Sequence, residues 1–206
     1  AESQQRTLEA LLALVGQWGF PKMQAVVSGG QYTHPKGVFY GGTGPVWSHR
    51  WLRQWCAANL THARRVVIID LHTGLGEWGH GELIGSAAAG DPLFDRAVAL
   101  WPDAVSMLSG DSVSAVLAGD WLNVADQLAP HAEVTPICIE YGTVDGITVL
   151  QSLRADAWLH GHGDPAGPDG PAVRAQVRAA FADDDPAWIA ACWPRFLHTL
   201  NAALST

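Results

Sequence analysis

Two short apolar runs constrain this chain more than any other feature. Residues 66–71 read Val-Val-Ile-Ile-Asp-Leu, and residues 134–139 read Val-Thr-Pro-Ile-Cys-Ile. Both are brief and rich in β-branched residues, and neither alternates strictly with polar positions. That is the pattern of strands buried on both faces, as in a parallel sheet. Each run then delivers polar side chains that a strand interior does not tolerate. The first carries Asp70 and His72, the second Glu140, and glycines follow both.

Helical patterns surround these strands. Leu8, Leu11, Leu12, Val15 and Trp18 recur at spacings of three and four, which predicts a helix over 3–18 with Ser3 as its cap. The Gly19-Phe20-Pro21 sequence is expected to stop it. Residues 24–28 read as a short strand, and 29–45 as a glycine-rich loop. A helix is predicted over 46–60, with Trp47, Trp51 and Trp55 on one stripe. After the 66–71 strand, 73–82 reads as a glycine-rich, mobile loop. Further helices are predicted over 92–99, 120–129, 146–160, 171–181 and 186–203, with the second strand reaching residue 141. Strands alternating with helices imply an α/β fold whose helices cover the sheet.

Composition narrows the function classes. A chain of 206 residues suits one domain, taken as 1–206, and 48% hydrophobic content with ten Trp suffices for a core. Most of those Trp are assigned to the core by their spacing. A formal charge of −8 offers no electrostatic attraction to nucleic acid or an anionic membrane. No run approaches the roughly 18 apolar residues of a membrane span. The cysteines at 56, 138 and 192 are widely spaced and odd in number, which suits a reducing compartment and predicts a cytoplasmic location. The chain begins without Met, as a processed or cut segment would.

In open α/β sheets, sites lie beyond the carboxyl ends of parallel strands. Asp70, His72 and Glu140 are therefore the candidate site. Taken singly, each has a structural alternative. Asp70 could cap a turn, His72 could be a satisfied loop histidine, and Glu140 could bond backbone amides. Two such strand ends in one short chain favour function. A rival is His160-Gly-His162-Gly-Asp164, whose spacing suits metal ligands. It follows a helical segment rather than a strand, so the glycines read as a helix end. Glu77, His80 and Glu82 could be ligands too, but their segment reads more simply as the mobile loop. Cys138 lies inside an apolar strand and is expected to be buried rather than nucleophilic. Neither a Gly-x-Ser-x-Gly elbow nor a phosphate-binding loop occurs.

The segment Ile69-Asp70-Leu71-His72-Thr73-Gly74-Leu75-Gly76 resembles the one carrying the third zinc ligand in zinc carboxypeptidase-like hydrolases. The aspartoacylase and succinylglutamate desuccinylase branch has a similar Asp-Leu-His. Ile139-Glu140-Tyr141-Gly142-Thr143 resembles the strand end that carries their general base. The chain is most similar to a bacterial family of that clan known as a domain of unknown function. It shares Gly30-Gln31-Tyr32, Gly37-Val38-Phe39-Tyr40-Gly41-Gly42 and Trp158-Leu159-His160-x-His162-Gly163 with that family, and the likeness runs from about residue 8 to 204.

The resemblance implies a three-layer α/β/α fold with a mixed, mostly parallel sheet, and a metallohydrolase with one catalytic zinc ion. His72 would be a zinc ligand, Glu140 the general base and Asp70 an orienting partner. The substrate would be a small peptide or N-acyl amino acid, with Tyr32, Tyr40 and His80 brought near it by the two glycine loops. The clan's His-x-x-Glu motif is absent, since none of the nine histidines has Glu three residues later. The Asn-Arg segment that grips substrate in the clan is absent too. This predicts the C-terminal portion of an enzyme, with the other two ligands on a missing N-terminal half, and a sheet edge or face left open. A catalytically inactive binding module of the same fold is the alternative.

Overall fold

A computed structural model describes residues 2–205, with side chains from residue 5 onward. The predicted Ser3 cap lies outside the described side chains. The elements are α1 (Glu2–Trp18), α2 (Phe20–Ser28), α3 (Trp47–Asn59), β1 (Arg65–Trp78), β2 (Gly81–Gly85), α4 (Pro92–Leu100), β3 (Val105–Ser106), a 3-10 helix (Trp121–Leu128), β4 (Glu133–Gly142), α5 (Gly146–His162), α6 (Gly170–Phe181) and α7 (Pro186–Leu204).

The four strands lie in the order β1-β4-β2-β3. β1 runs parallel to β4 from Arg65 opposite Glu133 to Gly74 opposite Gly142. β2 is antiparallel to β4, and β3 is parallel to β2. The side chains of β4 alternate between two covered faces, which explains its nearly unbroken apolar sequence. One face sets Leu83, Ile137, Ile139 and Tyr141 against Ala97 of α4, Trp101 just after it, and Trp188 and Cys192 of α7. The other sets Ile84 and Cys138 against Met107 and Leu122, with α5 and α6 packed beside β1. This is the expected mixed, mostly parallel sheet in an α/β/α arrangement. Asp91, Asp145 and Asp185 cap α4, α5 and α7 by accepting backbone N–H bonds, each satisfying otherwise orphaned donors.

Three local expectations are corrected. The predicted strand 24–28 is the second half of α2. α1 ends at Trp18, as the Gly19-Phe20-Pro21 sequence predicts, and Pro21 then sits in the first turn of α2, where its fixed φ and missing N–H are suited. The three apolar residues Ala25, Val26 and Val27 cannot by themselves distinguish strand from helix. The predicted loop 73–82 is mostly strand. β1 continues to Trp78, turns at Gly79 and His80, and returns as β2 on the far side of β4. The chain thus straddles the end of β4, so closely that a Cβ on Gly142 would overlap the Glu77 carbonyl. The segment 120–129 is a 3-10 rather than an α-helix.

The tryptophans depart from expectation as well. Trp101 and Trp188 are buried, but Trp18, Trp47, Trp51, Trp55, Trp78, Trp158 and Trp193 are exposed. Trp47, Trp51 and Trp55 stack on one another along α3, with centroids 6.2 and 6.3 Å apart. Helical spacing aligned them as predicted, but among the described residues no element covers that stripe. β1 forms one edge of the sheet. No described helix is long and apolar enough to cross a membrane.

Candidate active site

The register of three strands builds the site. His72 on β1 lies opposite Glu140 on β4, which lies opposite Glu82 on β2. One step down, Asp70 lies opposite Cys138. Residues two apart on a strand share a face, so Asp70 and His72 project together, as do Cys138 and Glu140.

His72 bridges the two acids. Its Nε2 lies 3.0 Å from Asp70 Oδ2, and its Nδ1 lies 3.8 Å from Glu140 Oε2. With Asp70 ionised, Nε2–H is the donor, which leaves the Nδ1 lone pair of the neutral ring toward Glu140. Asp70 is itself held, because its Oδ2 also accepts the indole N–H of Trp121 at 2.8 Å. The His72 hydrogen bond holds the Asp70 carboxyl below its usual range against the opposing effect of burial. The same hydrogen bond raises His72, again against desolvation, with further help from Asp70 and Glu140 charges. Glu140 moves upward, because burial outweighs the lowering by the Leu75 N–H and by His72. The Leu75 bond to Oε1 is 3.0 Å long.

Among the described residues, one trio of potential metal-ligand atoms converges. It comprises His72, Cys138 and Glu140, with these atoms within 4.8 Å of one another. Imidazole, thiolate and carboxylate are all zinc ligands, and an imidazole backed by a carboxylate is the usual arrangement around such an ion. The donor chemistry therefore fits zinc at His72. Cys138 fits less well, because burial pushes its thiol upward, with the neighbouring acids adding to the shift. Glu82 is engaged elsewhere, accepting Ser112 Oγ at 3.3 Å and Val113 N at 3.0 Å. Its charge adds to the upward shift of Glu140.

His72 and Glu140 line one cleft of about 410 Å³. Gly74 and Leu75 border it, as does Phe39 from the first glycine loop. Tyr32, Tyr40 and His80 do not line it, which corrects the expectation that the loops bring them there. Tyr32 is exposed, with its ring beside Gly41, and Tyr40 bridges to Gln31. His80 sits in the turn beyond β4, where its carbonyl accepts Gly142 N–H and the adjacent Gly79 faces Ala191 of α7.

Sequence reasoning missed two contributors. Trp121 has no local signal, because it meets Asp70 across 51 positions. The α2 wall was lost with the strand assignment, although Phe20, Met23, Gln24 and Val27 carry the helical spacing that would have revealed it. The rival histidines behave as a helix end. α5 runs through His162 to its cap at Gly163, and His160 lies 3.6 Å from Asp156 one turn back.

Residues 1–195 match the sequence profile of a family described as Protein of unknown function (DUF2817). The chain belongs to this family. No curated protein and no solved structure matches it. The match spans every element that builds the cleft, from α2 to α6, so the Asp70, His72 and Glu140 arrangement lies wholly inside the family's extent.

Proposed function

We propose that the cleft is the centre of a zinc-dependent hydrolase of amide or peptide bonds, related to the zinc carboxypeptidases, with His72 as a zinc ligand and Glu140 as general base. The observation that carries this reading is the pairing of His72 Nδ1 with Glu140 Oε2 at 3.8 Å in one cleft, with Nε2 already taken by Asp70. Zinc, when bound, supplies the Lewis acidity that polarises a scissile carbonyl.

The chain's own residues do the rest. Asp70 fixes the tautomer and direction of the His72 ring, and Trp121 fixes Asp70. Burial raises Glu140 toward the range where a carboxylate accepts a proton from attacking water and returns it to a leaving amine. The Leu75 N–H holds one of its oxygens and leaves the other facing His72. His72 is the one imidazole lining the cleft among the described residues, whereas a catalytic zinc takes three protein ligands. The reading therefore assigns two ligands to polypeptide other than these 206 residues, on a His-x-x-Glu segment as the resemblance implies. A cytoplasmic location is part of the same proposal.

The test is metal content by elemental analysis beside hydrolysis of small peptides and N-acyl amino acids. The chain alone should hold far less than stoichiometric zinc and hydrolyse nothing. Joined to an upstream His-x-x-Glu segment, it should gain both zinc and activity. In that joined form Glu140→Gln should keep zinc but lose about 10²–10⁴-fold in turnover, because the amide cannot accept the proton. Full zinc in the chain alone would mean that a complete ligand set lies within these residues, at His160 and His162 or at His72, Cys138 and Glu140, and would overturn the division of ligands between two segments. A joined form that binds zinc but never turns over would favour the inactive binding module.

A further inference from the structure

Two helices turn apolar stripes toward this cleft. Phe20, Met23 and Val27 of α2 line one side, and Val149 and Leu153 of α5 the other. Each set follows the spacing of three and four that normally marks a face packed into a core. Here the stripes border about 410 Å³ of space, within the range of about 300–1,000 Å³ for small-ligand sites. The apolar wall reaches the reacting groups. Gly74 has a φ of 138°, and a Cβ there would meet the Phe181 ring at 3.0 Å, so only glycine lets that ring close on the strand end beside Glu140.

The charges in the cleft are equally one-sided. Its only ionisable lining side chains are His72 and Glu140, and no Lys or Arg faces it among the described residues. A substrate carboxylate bound along the helical walls would lose its hydration and gain no cation from these residues, beside an acid already buried. An apolar group would instead gain contact with the helical walls and Phe181, while Gln24, Ser28, Thr73 and Ser114 supply the uncharged polar part of the lining.

We infer that the cleft selects substrates by an uncharged, apolar group next to the scissile amide, an alkyl or aryl group lying between α2 and α5, and rejects a carboxylate there. This rests on the hydrolase reading for the word substrate, but the binding preference stands on the cleft itself. The apolar group could be an acyl chain or an amino-acid side chain, and the two sources share one chemistry.

The experiment measures binding by ligand-observed NMR to the full chain without metal, so that turnover plays no part. Three probes serve: hexanoyl-glycinamide, acetyl-phenylalaninamide and succinyl-glycinamide. At least one of the two apolar probes should bind about tenfold or more tightly than the succinyl probe, and which one wins identifies the source. Leu153→Arg should reverse the order by supplying a cation. Val27→Gln, a milder change on the opposite wall, should weaken the apolar probes several-fold without favouring the succinyl probe. Equal binding of all three, a preference for succinyl, or binding of none overturns the inference. The two readings separate in the zinc-loaded joined form. Hydrolysis of the succinyl amide as fast as the apolar amides overturns the selectivity and leaves the hydrolase. Tight apolar binding with no hydrolysis overturns the hydrolase and leaves the selectivity.

Discussion

Asp70-x-His72 and His160-x-His162 offer similar residue types at the same spacing, and the structure treats them oppositely. The first pair lies on β1, where positions two apart share a face. Its side chains meet at 3.0 Å, with Glu140 brought alongside by the neighbouring strand. The second pair lies on the last turn of α5, where positions two apart do not face each other. His160 turns instead to Asp156, four residues back, at 3.6 Å, and both partners are well exposed. Ligand spacing thus has no meaning until the secondary structure beneath it is known. A strand with a paired neighbour concentrates side chains on one spot, and a free helix end disperses them.

The sharpest way to break this comparison is to delete each histidine in the zinc-loaded joined form. His72→Ala should lose zinc from the site and at least about a thousandfold in turnover, the scale of a lost metal or general-base function. The double change His160→Ala with His162→Ala should keep both within twofold or so, with stability altered by no more than about 0.5 kcal/mol, as for exposed positions generally. Loss of zinc from the double variant would move the metal site to the helix end.

Removing the carboxylate partners tests the same contrast at smaller scale. Asp70→Asn keeps the shape but withdraws the charge that orients His72, and zinc affinity should fall about 10–100-fold in competition with a chelator. Asp156→Asn, beside His160, should leave that affinity unchanged. Equal effects would mean that Asp70 acts as a surface charge rather than through the ring.

The smallest expected effect is a pH dependence in the metal-free chain. Asp70 is lowered in the folded state, so its contribution is present above its unfolded value of about 3.9 and is lost as pH falls through the folded value. His72 is raised, so its contribution is full below about 6.5 and is lost as pH rises through its folded value. The pair should therefore stabilise the fold most between about pH 4 and about pH 6.5. Melting curves of the parent and Asp70→Asn in EDTA should differ most inside that window and converge on both sides. His160→Ala should track the parent throughout. A constant offset between parent and Asp70→Asn would show a packing effect instead of an ion pair.

What the sequence determined by itself was local. The β-branched runs at 66–71 and 134–139 are strands because such side chains suit a pleated, doubly covered surface. The helices predicted over 3–18, 46–60, 92–99, 146–160, 171–181 and 186–203 are all present, and for 3–18 the apolar spacing that revealed it is a property of the segment alone. The polar residues Asp70, His72 and Glu140 stood out against the β-branched runs, but they lie within paired stretches of β1 and β4 rather than beyond the strands, because β1 continues to Trp78. Only the tertiary structure decided how those pieces meet. The passage of β1 over the end of β4 and its return as β2 run through glycines at positive φ, of which Gly74 pairs with Gly142, 68 residues further along the chain. The face-sharing of His72 and Glu140 depends on register, and one residue's slip would send either side chain to the opposite face. The exposure of the tryptophans on α3 and the grip of Trp121 on Asp70 were likewise fixed by what packs beside them. Periodicity reports which side of a segment is apolar, but only packing reports what, if anything, that side finds.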